Sequence, residues 1–521
     1  MRSPKSTDEP YDLAGRRIVF TSWYHVRPAY AWWYDKRDKM LNKAASLDPW
    51  EGLFPAKDCP WGIRLIAEPA ERTGPLLRVE RPWEEHGVTF HTVLFDDGMY
   101  RAWGTGEAPD RGSWPCYFES KDGVQWERPA LGLVEYDGSR QNNLCDIGVR
   151  ANILGACMFK DPSAQGAERY KCVTGKTITA EDPEAYYRAY YRKYYPDDWE
   201  LRAALNPSRS GCGGSVSPDG LHWTVLDEPL VLEVTDTQNI CHYDEALRKY
   251  VLYTRTRTVG PRSRRATEAP TLGEGVARRA IGRSESDDFR HFPISETIVE
   301  PGPEFPPSDT LYTNCRTAIP GAPDHHLMFP TVWHQSDDTT SIAVASSHNG
   351  RLWHFVPGSP VLPTAAFGEW DGGCVFAHPD LVELPNGDFA LPYTGYIFPH
   401  KYPRGRWRFM PGLAVWPKGR LVALEAAERG EFATVGLVPP GRRLRINALT
   451  KRAGGIVVEV AGLNGSPMPG HTFDDAAPIV GDQHWSPVTW KGGEDLGFVE
   501  GGAIILRFRM DKAKIFGLQF E

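Results

Sequence analysis

Apolar residues along most of this chain alternate with polar ones at a spacing of two, or gather in short runs bounded by Gly, Pro, Asn and Asp. That pattern predicts short strands joined by tight turns rather than helices. Thr92-Val93-Leu94-Phe95, the turn Asp96-Asp97-Gly98 and Met99-Tyr100-Arg101-Ala102-Trp103 read as one hairpin. A second kind of hairpin ends on a recurrent signature, an apolar strand followed by a tight Asp/Asn-Gly turn and an aromatic residue. Its copies are Ser120-Lys121-Asp122-Gly123 with Trp126, Ser217-Pro218-Asp219-Gly220 with Trp223, Ser286-Asp287-Asp288 with Phe292 and Ser347-His348-Asn349-Gly350 with Trp353. A weaker copy, Trp416-Pro417-Lys418-Gly419, keeps the turn without a following Trp. Each copy follows another hairpin, so each unit supplies about four strands, the content of one propeller blade. Five such units predict a five-bladed β-propeller over residues 81–420.

After Arg420 the signature stops and plain alternation takes over. Leu444 and Ile446, then Ile456, Val458 and Val460, then Ile504, Leu506, Phe508 and Met510, and finally Phe516, Leu518 and Phe520 each hold one face of a strand. This predicts a β-sandwich accessory domain over residues 421–521. Residues 1–80 hold strand-like pieces, Arg17-Ile18-Val19-Phe20 and Ile63-Arg64-Leu65-Ile66, around an aromatic stretch with Tyr24, His25, Arg27, Trp32 and Trp33. They are expected to pack on the propeller or the sandwich. The fold class is therefore all-β, a five-bladed β-propeller followed by a C-terminal β-sandwich.

Two units carry insertions. Tyr186, Tyr190 and Tyr194 beside Tyr187, Tyr191 and Tyr195 repeat every four residues, as on a short helix that covers blade surface or offers a homo-oligomer contact. Arg255, Arg257, Arg262, Arg264, Arg265, Arg278 and Arg279 crowd another, which is either a solvated basic loop or a contact for an anionic group.

The 59 basic and 67 acidic residues leave a formal charge of -8, so no positive field favours nucleic acid, and none is expected as a partner. No apolar run is long enough for a signal-peptide core or a membrane span, which makes a cytoplasmic location without a membrane partner the expectation. The 9 cysteines are scattered without a CxxC pair, so neither disulfides nor a zinc site is signalled. No cofactor and no metal is expected.

In a propeller the innermost strands start near the axis, so residues just before those starts share one funnel. On this reading the funnel holds Glu84, Glu85 and His86; Asn143, Asp146 and Arg150; Asp236, Gln238 and Asn239; Asp309, Asn314 and Arg316; and Glu369, Asp371 and His378. Carboxylates interleaved with amides, Arg and His suit sugar hydroxyls, which need donors and acceptors together. Hydrolysis of a glycosidic bond takes two carboxyl groups, one protonated and one ionised. Asp146 and Asp236 are the expected acid/base pair, with Glu85 and Asp371 next. Asn143, Arg150, Gln238, Asn239, Asn314, Arg316 and His378 are expected to bind substrate, and Trp370 to stack on a sugar ring.

The Asp-Gly-x-x-Trp turns, the five-unit count, the acidic inner-strand starts and the trailing β-sandwich resemble the propeller glycoside hydrolases of families 32, 43 and 68, within an uncharacterised family 32-like or 43-like branch. The resemblance covers most of the chain in architecture. It implies three carboxylates from the first three blades, acting as nucleophile or base, as orienting group and as general acid; by position these fall on Glu85, Asp146 and Asp236. The chain lacks the Trp-x-Asn-Asp-Pro-Asn-Gly, Arg-Asp-Pro and Glu-Cys elements of the fructan-cleaving families. The implied activity is cleavage of an oligosaccharide or small glycoside. Other readings are a non-catalytic carbohydrate-binding propeller, an interaction scaffold, and a sugar phosphorylase or lyase; a phosphorylase needs cations in the funnel to hold phosphate, for which Arg150 and Arg316 are nearest.

Overall fold

A computed structural model of the chain describes residues 10–28, 33–34, 40–41, 59–109, 112–148, 155–178, 180–200, 210–233, 235–259, 277–401, 408–463, 465–499 and 501–521. It is nearly all-β. The recurrent turn is built by one local wiring. Ser120 Oγ accepts from Gly123 N at 2.9 Å, Asp122 Oδ1 from Val124 N at 2.9 Å and Gln125 N at 2.7 Å, and Trp126 Nε1 donates to the Gly123 carbonyl at 3.1 Å. Ser217, Asp219, Gly220 and Trp223 repeat these bonds, as do Ser347, Asn349, Gly350 and Trp353. Gly123 and Gly220 stand at φ of 77° and 79°, a region open to glycine without a Cβ clash. In the copy that begins at Ser286, Phe289 takes that position at φ 53°.

Between these turns the strands form successive antiparallel groups. The first is Gly87–Asp96, Met99–Ala108 and Gly112–Ser120; the second Cys157–Lys160, Tyr170–Thr177, Ser210–Ser217 and Thr224–Val225; the third Ile240–Asp244, Lys249–Val259, Arg278–Ser286 and Glu296–Val299. The fourth group is split into two four-stranded ladders, one with Asp309–Leu311, Thr331–His334, Thr339–Ile342 and Leu362–Pro363, the other with Arg316–Ile319, Ala322–Met328, Ala345–Ser347 and His354–Phe355. In the fifth, Cys374–Ala377 and Val382–Glu383 pair with Phe389–Tyr396, which pairs with Phe409–Trp416. The last strand of this group is supplied from far upstream, by Glu71–Thr73. Phe409 also pairs with Gly87, which ties the fifth group to the first. Such cross-pairing covers edges that a linear array would leave open.

One eight-stranded ladder connects the C-terminal strands around Ile504–Phe520, which pairs with Val422–Ala433, Leu437–Val438 and Leu444–Gly462. N-terminal pieces enter this ladder by main-chain hydrogen bonds. Arg17–Val19 pairs with Ile504–Phe520, Arg64–Ala67 with Val422–Ala433 and Tyr11–Asp12 with Leu437–Val438. The Tyr-rich insertion forms a helix over Pro183–Tyr194, capped by Asp182, whose side chain accepts from Ala185 N. Tyr187, Tyr190 and Tyr191 are buried against Ile178 and Leu232, so this stripe packs on the strand groups. All 9 cysteines are free, and no helix among the described residues is long and apolar enough to cross a membrane.

Candidate functional site

Several side chains expected from the sequence to bind substrate are instead spent on bonds within and between the strand groups. Gln238 donates to the Ala377 carbonyl at 2.9 Å and accepts from Cys315 N at 2.7 Å, which joins the third, fourth and fifth groups. Asn314 Nδ2 donates to the Gln238 carbonyl at 3.2 Å, while Asn239 bonds Thr235 and the Thr237 carbonyl. His378 shares a 2.7 Å bond with Thr394, and burial holds its imidazole well below its ordinary pKa, hence neutral. Buried polar groups whose bonds are all internal are costly to divert to a ligand. Gln238 and Asn314 fasten neighbouring groups to one another, while Asn239 and His378 brace their own.

Asn143 and Asp146 lie elsewhere than the funnel start. Tyr117 N donates to the Asn143 carbonyl at 2.9 Å and Cys145 N to the Pro115 carbonyl at 3.0 Å, so this segment runs along the outer edge of the first group. Asp146 is exposed and caps Gly148 N at 2.8 Å. The first inner strand of the second group begins only at Cys157. Arg150 lies outside the described residues. An axial Asp146–Asp236 pair therefore does not follow from this chain path.

Asp371 is buried at 1% exposure, ion-paired to Arg72 at 2.6 Å and bonded by the Tyr393 hydroxyl at 2.9 Å. Trp370 stacks on Tyr393 with centroids 5.6 Å apart and covers Gly395 and Gly412, where an added Cβ would meet its ring at 2.5 and 2.6 Å. Both residues brace the fifth group. Glu85 is exposed just before Gly87–Asp96, whereas its neighbour Glu84 is buried and grips Arg128 with bonds of 2.8 and 2.9 Å.

At the starts of the inner strands of the third to fifth groups a different set converges. Asp236 projects to solvent with 65% of its side chain exposed, yet its ion-pair partner Arg255 is only 3% exposed. Burial, together with neighbouring Arg279, lowers the Arg255 pKa to about 10, while Asp236 opposes that shift. The Arg279 guanidinium lies 4.1 Å from the Tyr312 ring centre, a cation–π distance, and Lys401 Nζ lies 5.5 Å from the same ring. His400 meets Tyr312 edge-on at 4.5 Å and Phe376 at 5.1 Å. Lys401 N and Trp333 Nε1 both donate to Asp338, at 2.7 and 2.9 Å. Tyr396 packs between Phe376 and Phe409, and burial, aided by Glu107 among others, pushes its phenol well up. Glu107 is the register partner of Gly87 and accepts from Ser113 Oγ at 2.6 Å.

This arrangement is an aromatic bed with cations on it and carboxylates at its margins. Sequence reasoning singled out Asp236 and, within a basic run, Arg255 and Arg279. It missed Glu107, Tyr312, Lys401 and His400, which stand at strand ends or in the loop after Phe389–Tyr396, where only the fold brings them together. A further missed group is Asp380, near Arg316, whose carboxyl burial raises to about 6.

Arg316 itself shares a 3.1 Å contact with His326. Among the described residues, His242, Asp244 and His326 have donor atoms within 4.8 Å of one another, a spacing compatible with a metal. The positive charges of Arg316 and Arg283 act on His242, which makes this a poor home for a cation.

No family model matches the sequence, and no curated protein matches it. Among solved structures the chain is similar to a glycoside hydrolase, at 12% identity and a TM-score of 0.40 over 67% of this chain and 92% of that one. It is also similar to a thermostable family-43 glycoside hydrolase, at 13% identity and 0.37 over 65% and 89%. The endo-arabinase of Bacteroides thetaiotaomicron is similar at 11% identity and 0.36, over 67% and 96%.

Proposed function

We propose that the five strand groups compose a five-bladed β-propeller and that the protein is a glycoside hydrolase acting on an oligosaccharide or small glycoside. One observation carries the reading: Asp236 stands in solvent beside a buried, aromatic and cationic bed assembled from the third to fifth groups. Sugar rings take aromatic faces on one side and hydroxyl partners on the other, and a hydrolase needs two carboxyl groups there. Asp236, backed by Arg255, takes the ionised role. The proton donor comes from Glu85 or Glu107, which share the strand end at Gly87.

A second reading is favoured by Arg255, Arg279 and Lys401, since three cations in the bed supply what a phosphorylase needs to hold phosphate. The same assay separates the two. A panel of 4-nitrophenyl glycosides and unsubstituted oligosaccharides is incubated with wild type and Asp236→Asn, with and without inorganic phosphate. Hydrolysis should occur without phosphate and fall by about a thousandfold or more in the variant, with an unchanged melting temperature. Phosphate-dependent release of a sugar 1-phosphate moves the assignment to a phosphorylase. Normal turnover in Asp236→Asn removes this site from the reaction.

A further inference from the structure

The fourth group contains a second, independent constellation. Asp309 and His334 are direct partners on adjacent strands, and His334 is in turn the partner of Thr339 on the next. Ser341 lies two residues beyond Thr339 and so on the same sheet face. The three side chains form a chain of bonds in a fixed order: Asp309 Oδ2 to His334 Nδ1 at 2.9 Å, then His334 Nε2 to Ser341 Oγ at 2.9 Å. A carboxylate on Nδ1 fixes the proton on that nitrogen, which leaves Nε2 as an acceptor for the serine hydroxyl.

All three residues line one cleft of about 670 Å3 beside the outer strand of the third group. Its walls are mostly apolar, with the Phe305–Phe355 ring pair, Trp353 and Val332 facing it. Asp309 is buried and His334 keeps 29% of its side chain exposed, so the base is reachable from the cleft while its orienting carboxylate is shielded.

We propose that Asp309, His334 and Ser341 form an acyl-transfer site that hydrolyses small, uncharged carboxylic esters, separate from the glycosidase reading. Ser341 Oγ attacks the acyl carbon as its proton passes to His334 Nε2. The ester C–O bond then breaks, and His334 returns the proton to the departing alcohol. Water repeats the sequence on the acyl-serine and releases the acid, with no other reactant consumed. Asp309 is a positioning residue that holds the imidazole.

The test uses the full chain with a fluorophosphonate probe and 4-nitrophenyl acetate. Attack of Ser341 on phosphorus should expel fluoride and leave one phosphonyl group, located on Ser341 by peptide mass spectrometry. Ser341→Ala should abolish the adduct and lower ester turnover by about a thousandfold or more. Asp309→Asn should lower kcat by orders of magnitude with KM little changed. Labelling should persist in Asp236→Asn, which keeps failure here distinguishable from failure of the glycosidase reading. Wild type that gains no adduct on Ser341, or ester turnover equal in Ser341→Ala, overturns the proposal.

Discussion

Asp371 gives the sharpest contrast between a residue that resembles a catalytic carboxylate in sequence and one that braces a fold. Its replacement by Asn keeps the shape and removes the charge. The carboxylate now accepts from Arg72 at 2.6 Å and from the Tyr393 hydroxyl at 2.9 Å, with the Asp371 side chain buried and that of Arg72 29% exposed. Breaking a fully buried ion pair costs roughly 3–5 kcal/mol, and one hydrogen bond to a charged group contributes about 1.5–3 kcal/mol. Arg72 is partly solvated and Asn still accepts a bond, so a loss of roughly 2–3 kcal/mol is expected. At about 2–4 °C for each kcal/mol in a unit of 150–250 residues, the melting temperature should fall by about 4–12 °C, toward the smaller figure in a larger unit. Differential scanning fluorimetry reads this directly, and turnover per folded molecule, measured below the transition, should stay within about twofold. A variant that melts like wild type yet loses turnover by orders of magnitude would refute the bracing role and return Asp371 to the reaction.

Asp380 should confer an unusual pH dependence. Burial holds its carboxyl at about 6 in the fold against 3.8 in the unfolded chain, so between those pH values the folded state binds more protons and stability falls as pH rises. The full cost above that window is roughly 3 kcal/mol at most; Asp380→Asn should therefore raise the melting temperature at pH 7.5 and not at pH 4, and an equal effect at both would reject the account. Lys171 is fully buried and donates to Asp161 at 2.9 Å and to Glu168 at 3.1 Å. Burial pushes the Asp161 carboxyl up, but bonds from Ser163, Tyr250 and Lys171 outweigh it and hold the group below its ordinary range. Lys171→Met strands that charge and should cost about 3–5 kcal/mol, seen as a large drop in melting temperature; a change of about a degree or less would show the pair to be nearly neutral.

The features legible in the sequence are those closed within a few residues. The Ser-x-Asp-Gly turns with their trailing tryptophans were readable because every bond in them spans two or three positions. The Pro183–Tyr194 helix was readable from its four-residue tyrosine spacing, and strand content from period-two alternation. Alternation says which side a residue faces but not which strand lies beside it. Asn143 and Asp146 therefore read equally well as the start of one group or the edge of another, and only the bonds of Asn143 to Tyr117 and of Cys145 to Pro115 decided for the edge. The same limit hid the entry of Arg17–Val19 into the C-terminal ladder and of Glu71–Thr73 into the fifth group. It hid the chemistry as well, since Arg72 meets Asp371 from 299 residues away and Arg279 reaches Tyr312 from another group. Hydrogen bonds across strands and burial between strand groups are set by tertiary contact, and no local pattern encodes the partner.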